Sequence, residues 1–212
     1  MKRMLFGLGT GRCGTESLTA LLNSQPELLV THERLPAPWV SDKKFLAKLI
    51  KYLQAYQAEI VGDVAFYHLN YVPLILDIDN RTKFICLKRN KKETVDSYDR
   101  QTSFNPKNGL GERNHWTDRN SKFWIPNKWR LDGVWDKCYP KFDLDRLDAI
   151  AEYWELYYEI ANYFEKRFPE NFRIFMMQEL LNEEEMQREM FEFLEIKNYK
   201  VITNIKLNTY RT

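Results

Sequence analysis

The sequence of 212 residues lacks the marks of several protein classes. No apolar stretch approaches the roughly 20 residues that a membrane-spanning helix needs, and glycines interrupt the N-terminal apolar run too early for a signal peptide. The three cysteines, Cys13, Cys86 and Cys138, have no CxxC spacing, so neither a disulfide framework nor a zinc site is indicated. A formal net charge of +2 is too small for a general nucleic-acid-binding protein. We therefore expect a soluble, reduced, cytoplasmic protein with no metal ion and no membrane partner.

What the sequence does contain is an alternation of strand and helix patterns. Apolar runs bounded by turn residues predict strands at 3–9, 27–33, 59–68, 82–89 and 172–180. Apolar residues at helical spacing predict helices at 16–24, 42–57, 72–79, 91–102, 145–168 and 182–196. This order predicts a single α/β domain over residues 1–212, with a parallel sheet of four or five strands and helices on both faces. The aromatic residues between 153 and 163 are expected in the core or at an interface.

Residues 103–143 have no clear period and predict an ordered, aromatic-rich lid over a bound substrate. Tryptophans alternate there with basic residues, namely Trp116, Trp124, Trp129 and Trp135 with Arg113, Arg119, Lys122, Lys128 and Arg130. Such a surface suits a sugar, an acidic acceptor or single-stranded nucleic acid. The alternative is a lid that packs its aromatic side chains on the sheet.

The stretch FGLGTGRCGTESLTALL, residues 6–22, has the order of a phosphate-binding loop: strand, glycine-rich turn, helix. Unpaired N–H groups at a helix N-terminus bind anions, and Arg12 adds a forked donor inside the loop. A nucleotide hydrolase would carry Lys and Ser/Thr after the last glycine, where this chain has Thr15 and Glu16. The residues predicted to bind the anion are Gly11, Arg12, Cys13, Gly14, Thr15 and Glu16. A tight turn without a ligand is the alternative.

A second anion site is predicted where strand 82–89 ends at Arg89 and a helix carries Ser97 eight residues later. Eight residues are about two helical turns, so the hydroxyl lies on the face to which the arginine can fold back. An ordinary strand–helix junction is the alternative for this motif alone. Two anion sites at the carboxyl ends of two parallel strands share one crevice. The pair predicts a receptor for a nucleotide phosphorylated at both its 5′ and 3′ positions, with the two sites separate.

These motifs resemble those of sulfotransferases that use 3′-phosphoadenosine 5′-phosphosulfate (PAPS). GTGRCGTESL resembles their 5′-phosphosulfate loop, and LKRNKKETVDSY resembles their 3′-phosphate motif. This chain carries an arginine in the loop, Arg12, and in this it is similar to the tyrosylprotein and some bacterial members. The resemblance covers residues 3–100, with a weaker likeness of 177–196 to the C-terminal helix and no counterpart of the basic, glycine-containing loop near the end of cytosolic members. It implies a P-loop-like fold, PAPS as co-substrate, its bisphosphate PAP as product and no metal.

Sulfuryl transfer is an in-line displacement in which a base removes the proton of the acceptor hydroxyl or amine. The resemblance implies two candidate bases: Glu33, placed like the glutamate of tyrosylprotein sulfotransferases, and His68, placed like the histidine of cytosolic members. His32 is a third, weaker candidate. The alternatives are that Glu33 is a solvated loop carboxylate and that His68 is a histidine at a strand end whose hydrogen bonds are satisfied by the protein. We prefer Glu33, and we assign Arg12 a catalytic role in stabilising charge on the transferring group.

Two other functions remain open at this point. A kinase or other phosphotransferase would need a magnesium carboxylate, for which Asp63 is the best candidate, and the missing loop lysine. A non-catalytic protein could bind a nucleotide or nucleic acid through the lid, although the net charge does not favour nucleic acid. The acceptor is predicted only as a small molecule, a sugar or a peptide, and the sequence does not indicate an oligomeric state.

Overall fold

Five strands and seven α-helices follow one another along residues 1–34, 42–107, 142 and 144–205, which the computed structural model describes. The strands are β1 (Arg3–Leu8), β2 (Leu28–His32), β3 (Ile60–Val64), β4 (Lys83–Lys88) and β5 (Phe172–Met176). The helices are α1 (Thr15–Asn23), α2 (Asp42–Gln54), α3 (Val72–Ile78), α4 (Lys91–Lys107), α5 (Arg146–Arg167), α6 (Met177–Asn182) and α7 (Glu184–Phe193). A 3-10 helix, Phe66–Tyr71, precedes α3.

The strands form one parallel sheet in the order β2-β3-β1-β4-β5. The register pairs Val64 of β3 with Gly7 of β1 on one side and with His32 of β2 on the other. The carboxyl ends of β1, β2 and β3 are therefore level with one another. The segments that leave this edge of the sheet carry the predicted site residues, as ligand-binding segments do in open α/β sheets.

Helices cover both faces of the sheet, which confirms the predicted fold class. Side chains of β1 alternate between the two cores, with Phe6 on one face and Leu5 on the other. The core on the Phe6 side is built with α2, the 3-10 helix, α3, α4 and α5. The core on the Leu5 side is built with α1, α6 and α7. A sheet that is buried on both faces is the reason why its strands read as continuous apolar runs.

Three predicted element ends differ most from the structure. The strand predicted at 59–68 ends at Val64, and residues 66–71 form the 3-10 helix. The strand predicted at 172–180 ends at Met176 and continues as α6. Short apolar runs do not separate strand from helix by periodicity, which explains both errors. Helix α4 continues to Lys107, so the predicted irregular segment begins later, and most of the predicted lid lies outside the described residues.

No helix within the described ranges is both long enough and apolar enough to cross a membrane.

Candidate functional site

The loop between β1 and α1 folds closely around the N-terminus of α1. Gly11, Arg12 and Gly14 have positive φ angles of 83°, 55° and 89°. Gly14 is the N-cap of α1, and among the described residues no side chain caps this helix. A Cβ atom at Gly11 would collide with the hydroxyl of Tyr98, so this turn has room only for glycine. The first backbone amides of α1 thus lie at an uncapped helix N-terminus, a kind of site that attracts anions.

Buried tyrosine hydroxyls hold the backbone of this loop in place. Tyr98 of α4 and Tyr153 of α5 both donate to the carbonyl oxygen of Thr10, the latter at 3.2 Å. The amide of Gly9 donates to the hydroxyl of Tyr157 at 2.9 Å. Sequence reasoning placed the α5 tyrosines in the core but missed this role. Their spacing of four residues, which puts Tyr153 and Tyr157 on one helix face, was the available signal.

The structure brings the two predicted anion-binding motifs together. Arg12 Nε donates to Ser97 Oγ at 3.3 Å, and Arg89 Nη1 donates to the carbonyl oxygen of Arg12 at 3.1 Å. Arg89 Nε also pairs with Glu93 Oε2 at 2.9 Å. Arg89 was expected to fold back toward Ser97 in a separate second site. Its guanidinium instead contacts the loop, because loop and helix α4 meet at the same edge of the sheet.

The other predicted loop residues contribute in different ways. Cys13 is completely buried, and burial raises the pKa of its thiol to about 11, so only its backbone can contact a ligand. Thr15 Oγ1 lies 3.1 Å from His32 Nε2, which joins the end of β2 to the first turn of α1. Glu16 is exposed in that turn. His32 is thus a neighbour of the loop.

Glu33 follows β2 directly, in a backbone conformation that is rare for a non-glycine residue. Its φ is 45°, and its amide donates to the carbonyl oxygen of Val64 at 3.0 Å. Desolvation by the surrounding protein raises the pKa of the Glu33 carboxyl, and the charges of Asp63 and Glu16 act in the same direction. The residue also keeps contact with solvent. A raised pKa and solvent access both suit a general base.

His68 is completely buried in the 3-10 helix and does not lie at a strand end as predicted. Its Nε2 lies 2.8 Å from Asp63 Oδ2, and Thr31 Oγ1 and the Arg34 amide donate to Asp63 Oδ1. His68 is thus a core residue whose Nε2 contacts the Asp63 carboxylate. Both oxygens of Asp63 are engaged by protein groups, which disfavours its use as a magnesium ligand. Within the described part of the chain, no three His, Cys, Asp or Glu residues are grouped to hold a metal ion.

No protein-family model matches the sequence, and no curated protein matches it. Solved structures do match the fold. A sulfotransferase from Alicyclobacillus acidocaldarius superimposes with a TM-score of 0.63 and 14% identity, over 100% of this chain and 87% of the other. The protein has a sulfotransferase fold. Mouse sulfotransferase SULT7A1, solved in complex with PAP, gives a TM-score of 0.51 and 14% identity, over 94% of this chain and 61% of its own. The resemblance expected from the sequence is confirmed at the level of the fold.

Proposed function

We propose that the protein is a PAPS-dependent sulfotransferase, which moves a sulfuryl group from PAPS to a hydroxyl or amine of an acceptor. The observation that carries this proposal is the junction of Arg12, Ser97 and Arg89 beside the uncapped N-terminus of α1. Two guanidinium groups, a hydroxyl and open helix amides suit a ligand with two separate anionic groups. The fold shared with sulfotransferases, one of them bound to PAP, supports the same proposal.

The residues present fit PAPS better than a nucleoside triphosphate. A triphosphate needs the loop lysine, which is missing, and a hydroxyl and a carboxylate for magnesium. The best candidate carboxylate, Asp63, is buried and bonded to Thr31 and His68. A sulfuryl group carries less charge than a phosphoryl group and needs no metal bridge. The kinase alternative is therefore disfavoured, and no observation on the described residues favours a non-catalytic protein.

Distinct residues would hold the two ends of PAPS. The backbone amides of residues 11–16 and the Arg12 guanidinium would hold the 5′-phosphosulfate. Arg89 and Ser97 would hold the 3′-phosphate, since a guanidinium has five N–H donors and Arg89 uses two on Glu93 and Arg12. When bound, PAPS supplies the electrophilic sulfuryl group and a phosphate leaving group.

Glu33 would act as the general base, accepting the proton of the acceptor hydroxyl as that oxygen attacks. Its strained φ of 45° supports this role, because strained residues cluster at functional sites. His68 is less suited, since it is completely buried against Asp63. Arg12 would stabilise the charge that develops on the sulfuryl oxygens. The acceptor would be a small molecule, a sugar or a peptide, bound with the help of the predicted lid.

The test is transfer of a radiolabelled sulfuryl group from PAPS to panels of sugars, phenols and peptides. We expect transfer by the wild type and a loss of orders of magnitude in Glu33→Gln, with PAP binding intact. Glu59→Gln is the matched control, because Glu59 is exposed at the opposite end of the sheet. A fully active Glu33→Gln variant would remove Glu33 from the role, and His68→Ala would then be examined. Wild-type enzyme that transfers to no acceptor and binds no PAP would contradict the proposed function.

A further inference from the structure

A carboxylate with no solvent exposure lies beneath the turn that carries Glu33. Asp63 is 0% exposed on β3, next to Thr31 in the register of β2 and β3. Its Oδ1 accepts from Thr31 Oγ1 and, at 3.4 Å, from the amide of Arg34. Its Oδ2 lies 2.8 Å from His68 Nε2. A charge this deep in a protein persists only where polar groups surround it.

The residues that Asp63 holds lie on both sides of Glu33 in the chain. Thr31 precedes Glu33 by two residues and Arg34 follows it. Between them, the Glu33 amide donates to the Val64 carbonyl at 3.0 Å. The turn is thus fastened to β3 before, at and after Glu33. A non-glycine residue at a φ of 45° needs such support, because disfavoured backbone conformations persist only where their surroundings over-determine them.

The charge of Asp63 also acts on Glu33. Burial acts to raise the pKa of Asp63, but the hydrogen bonds from His68 and Thr31 hold it below its ordinary value, so Asp63 is ionised. Among the described residues, titratable groups from four neighbouring elements act on Glu33. These groups are Glu16 of α1, His32 of β2, Asp63 of β3 and His68 of the 3-10 helix. After desolvation, the two carboxylates raise the pKa of Glu33 and the two histidines lower it.

We propose that Asp63 is the positioning residue of Glu33, holding its turn in the orientation that meets the acceptor, and that His68 holds Asp63. This inference rests on the proposed function, in which Glu33 receives the acceptor proton. Asp63 keeps its charge throughout and acts only through Glu33. The buried histidine, which the resemblance offered as a base, is thereby given a supporting role.

The first test compares Thr31→Val with Thr82→Val. Both substitutions exchange a buried threonine hydroxyl for a methyl group, but the Thr82 hydroxyl has no hydrogen-bond partner among the described residues and lies at the opposite end of the sheet. We expect Thr31→Val to lower kcat by roughly 10- to 100-fold, because small misplacements of a catalytic group are costly. KM for PAPS and the Kd of PAP should stay within about twofold of wild type, since the loop is untouched.

The second test needs no acceptor. NMR titration of the Glu33 carboxyl carbon, assigned through its loss in Glu33→Gln, should show a lower pKa in Asp63→Asn than in the wild type. Thr82→Val should leave that pKa unchanged. Asparagine keeps the shape of Asp63 and an oxygen that can accept from the backbone amide of Arg34. If Asp63→Asn does not fold, the turnover of Thr31→Val still decides.

The outcomes separate this inference from the proposed function. Turnover of Thr31→Val equal to that of Thr82→Val would overturn the positioning role, as would an unchanged Glu33 pKa in Asp63→Asn. Failure of the wild type to bind PAP would contradict the proposed function instead. In that case the titration still decides whether Asp63 controls Glu33.

Discussion

The hydroxyl of Tyr157 joins the loop between β1 and α1 to the 3-10 helix, and its removal gives a prediction that does not depend on the acceptor. It accepts from the Gly9 amide at 2.9 Å and donates to the Phe66 carbonyl at 3.0 Å, both in the buried interior. Burial raises the pKa of Tyr157 well above its ordinary value, so the hydroxyl stays neutral at any working pH. Tyr157→Phe removes both bonds and leaves the ring in place.

The size of the effect follows from these two contacts. Taking the partner away from a buried polar group costs about 1–3 kcal/mol. For two backbone groups we expect the free energy of unfolding to fall by about 2–6 kcal/mol. In a protein of this length that corresponds to a fall in Tm of roughly 4–24 °C. The loop should also loosen, so PAP should bind more weakly.

Urea and thermal unfolding of Tyr157→Phe and Tyr163→Phe provide the assay. Tyr163 lies on the same helix but is 55% exposed, so its loss of a hydroxyl should change the free energy of unfolding by less than about 0.5 kcal/mol. Both variants remove one tyrosine hydroxyl from helix α5. Equal stability of the two would refute the reasoning that the Tyr157 hydroxyl holds the loop.

Two further predictions concern Arg12 and Glu33. Arg12→Ala should lower turnover by about 100-fold or more while weakening PAP binding much less, because Arg12 would stabilise charge that develops during transfer; a pure affinity defect in single-turnover and binding assays would count against this. The pKa of Glu33 is higher in the folded than in the unfolded chain, so the folded state holds more protons between the two values and wild-type stability falls as pH rises through that window. Glu33→Gln should therefore match wild-type stability below the ordinary glutamate pKa of about 4.3 and exceed it at neutral pH. Urea unfolding at acid and neutral pH checks this, and a variant less stable at neutral pH would contradict it.

The strand, glycine-rich turn and helix of residues 3–23 could be predicted because their signal is local. Glycines and Arg12 between a strand pattern and a helix pattern lie within a few consecutive residues. The same holds for the β4–α4 junction, where Arg89 ends a strand pattern and Ser97 follows in a helix pattern. Their partners were not predictable, since Arg12 and Ser97 are 85 residues apart in the chain and meet only through the strand order.

The support of Glu33 was beyond sequence reasoning for a similar reason. The contact of Asp63 with Thr31 depends on the register of β2 and β3, and a polar residue in an apolar strand pattern does not reveal its partner. His68 was misplaced because the apolar run after Val64 suits a strand as well as the 3-10 helix that forms. The predicted lid, with its tryptophans, stays a prediction, because only its first residues belong to a described helix.

Calorimetric titration with PAP tests the central claim most directly. Wild type, Arg89→Ala and Arg81→Ala should be compared, with ATP as a second ligand in the presence and absence of magnesium. Arg81 is exposed and paired with Asp79 before β4, at the opposite end of the sheet, so it serves as the control. A charge-assisted hydrogen bond contributes roughly 1.5–3 kcal/mol, so we expect metal-independent PAP binding that Arg89→Ala weakens by about 10- to 150-fold and Arg81→Ala leaves unchanged. Preference for magnesium–ATP, with equal affinity in wild type and Arg89→Ala, would contradict the account.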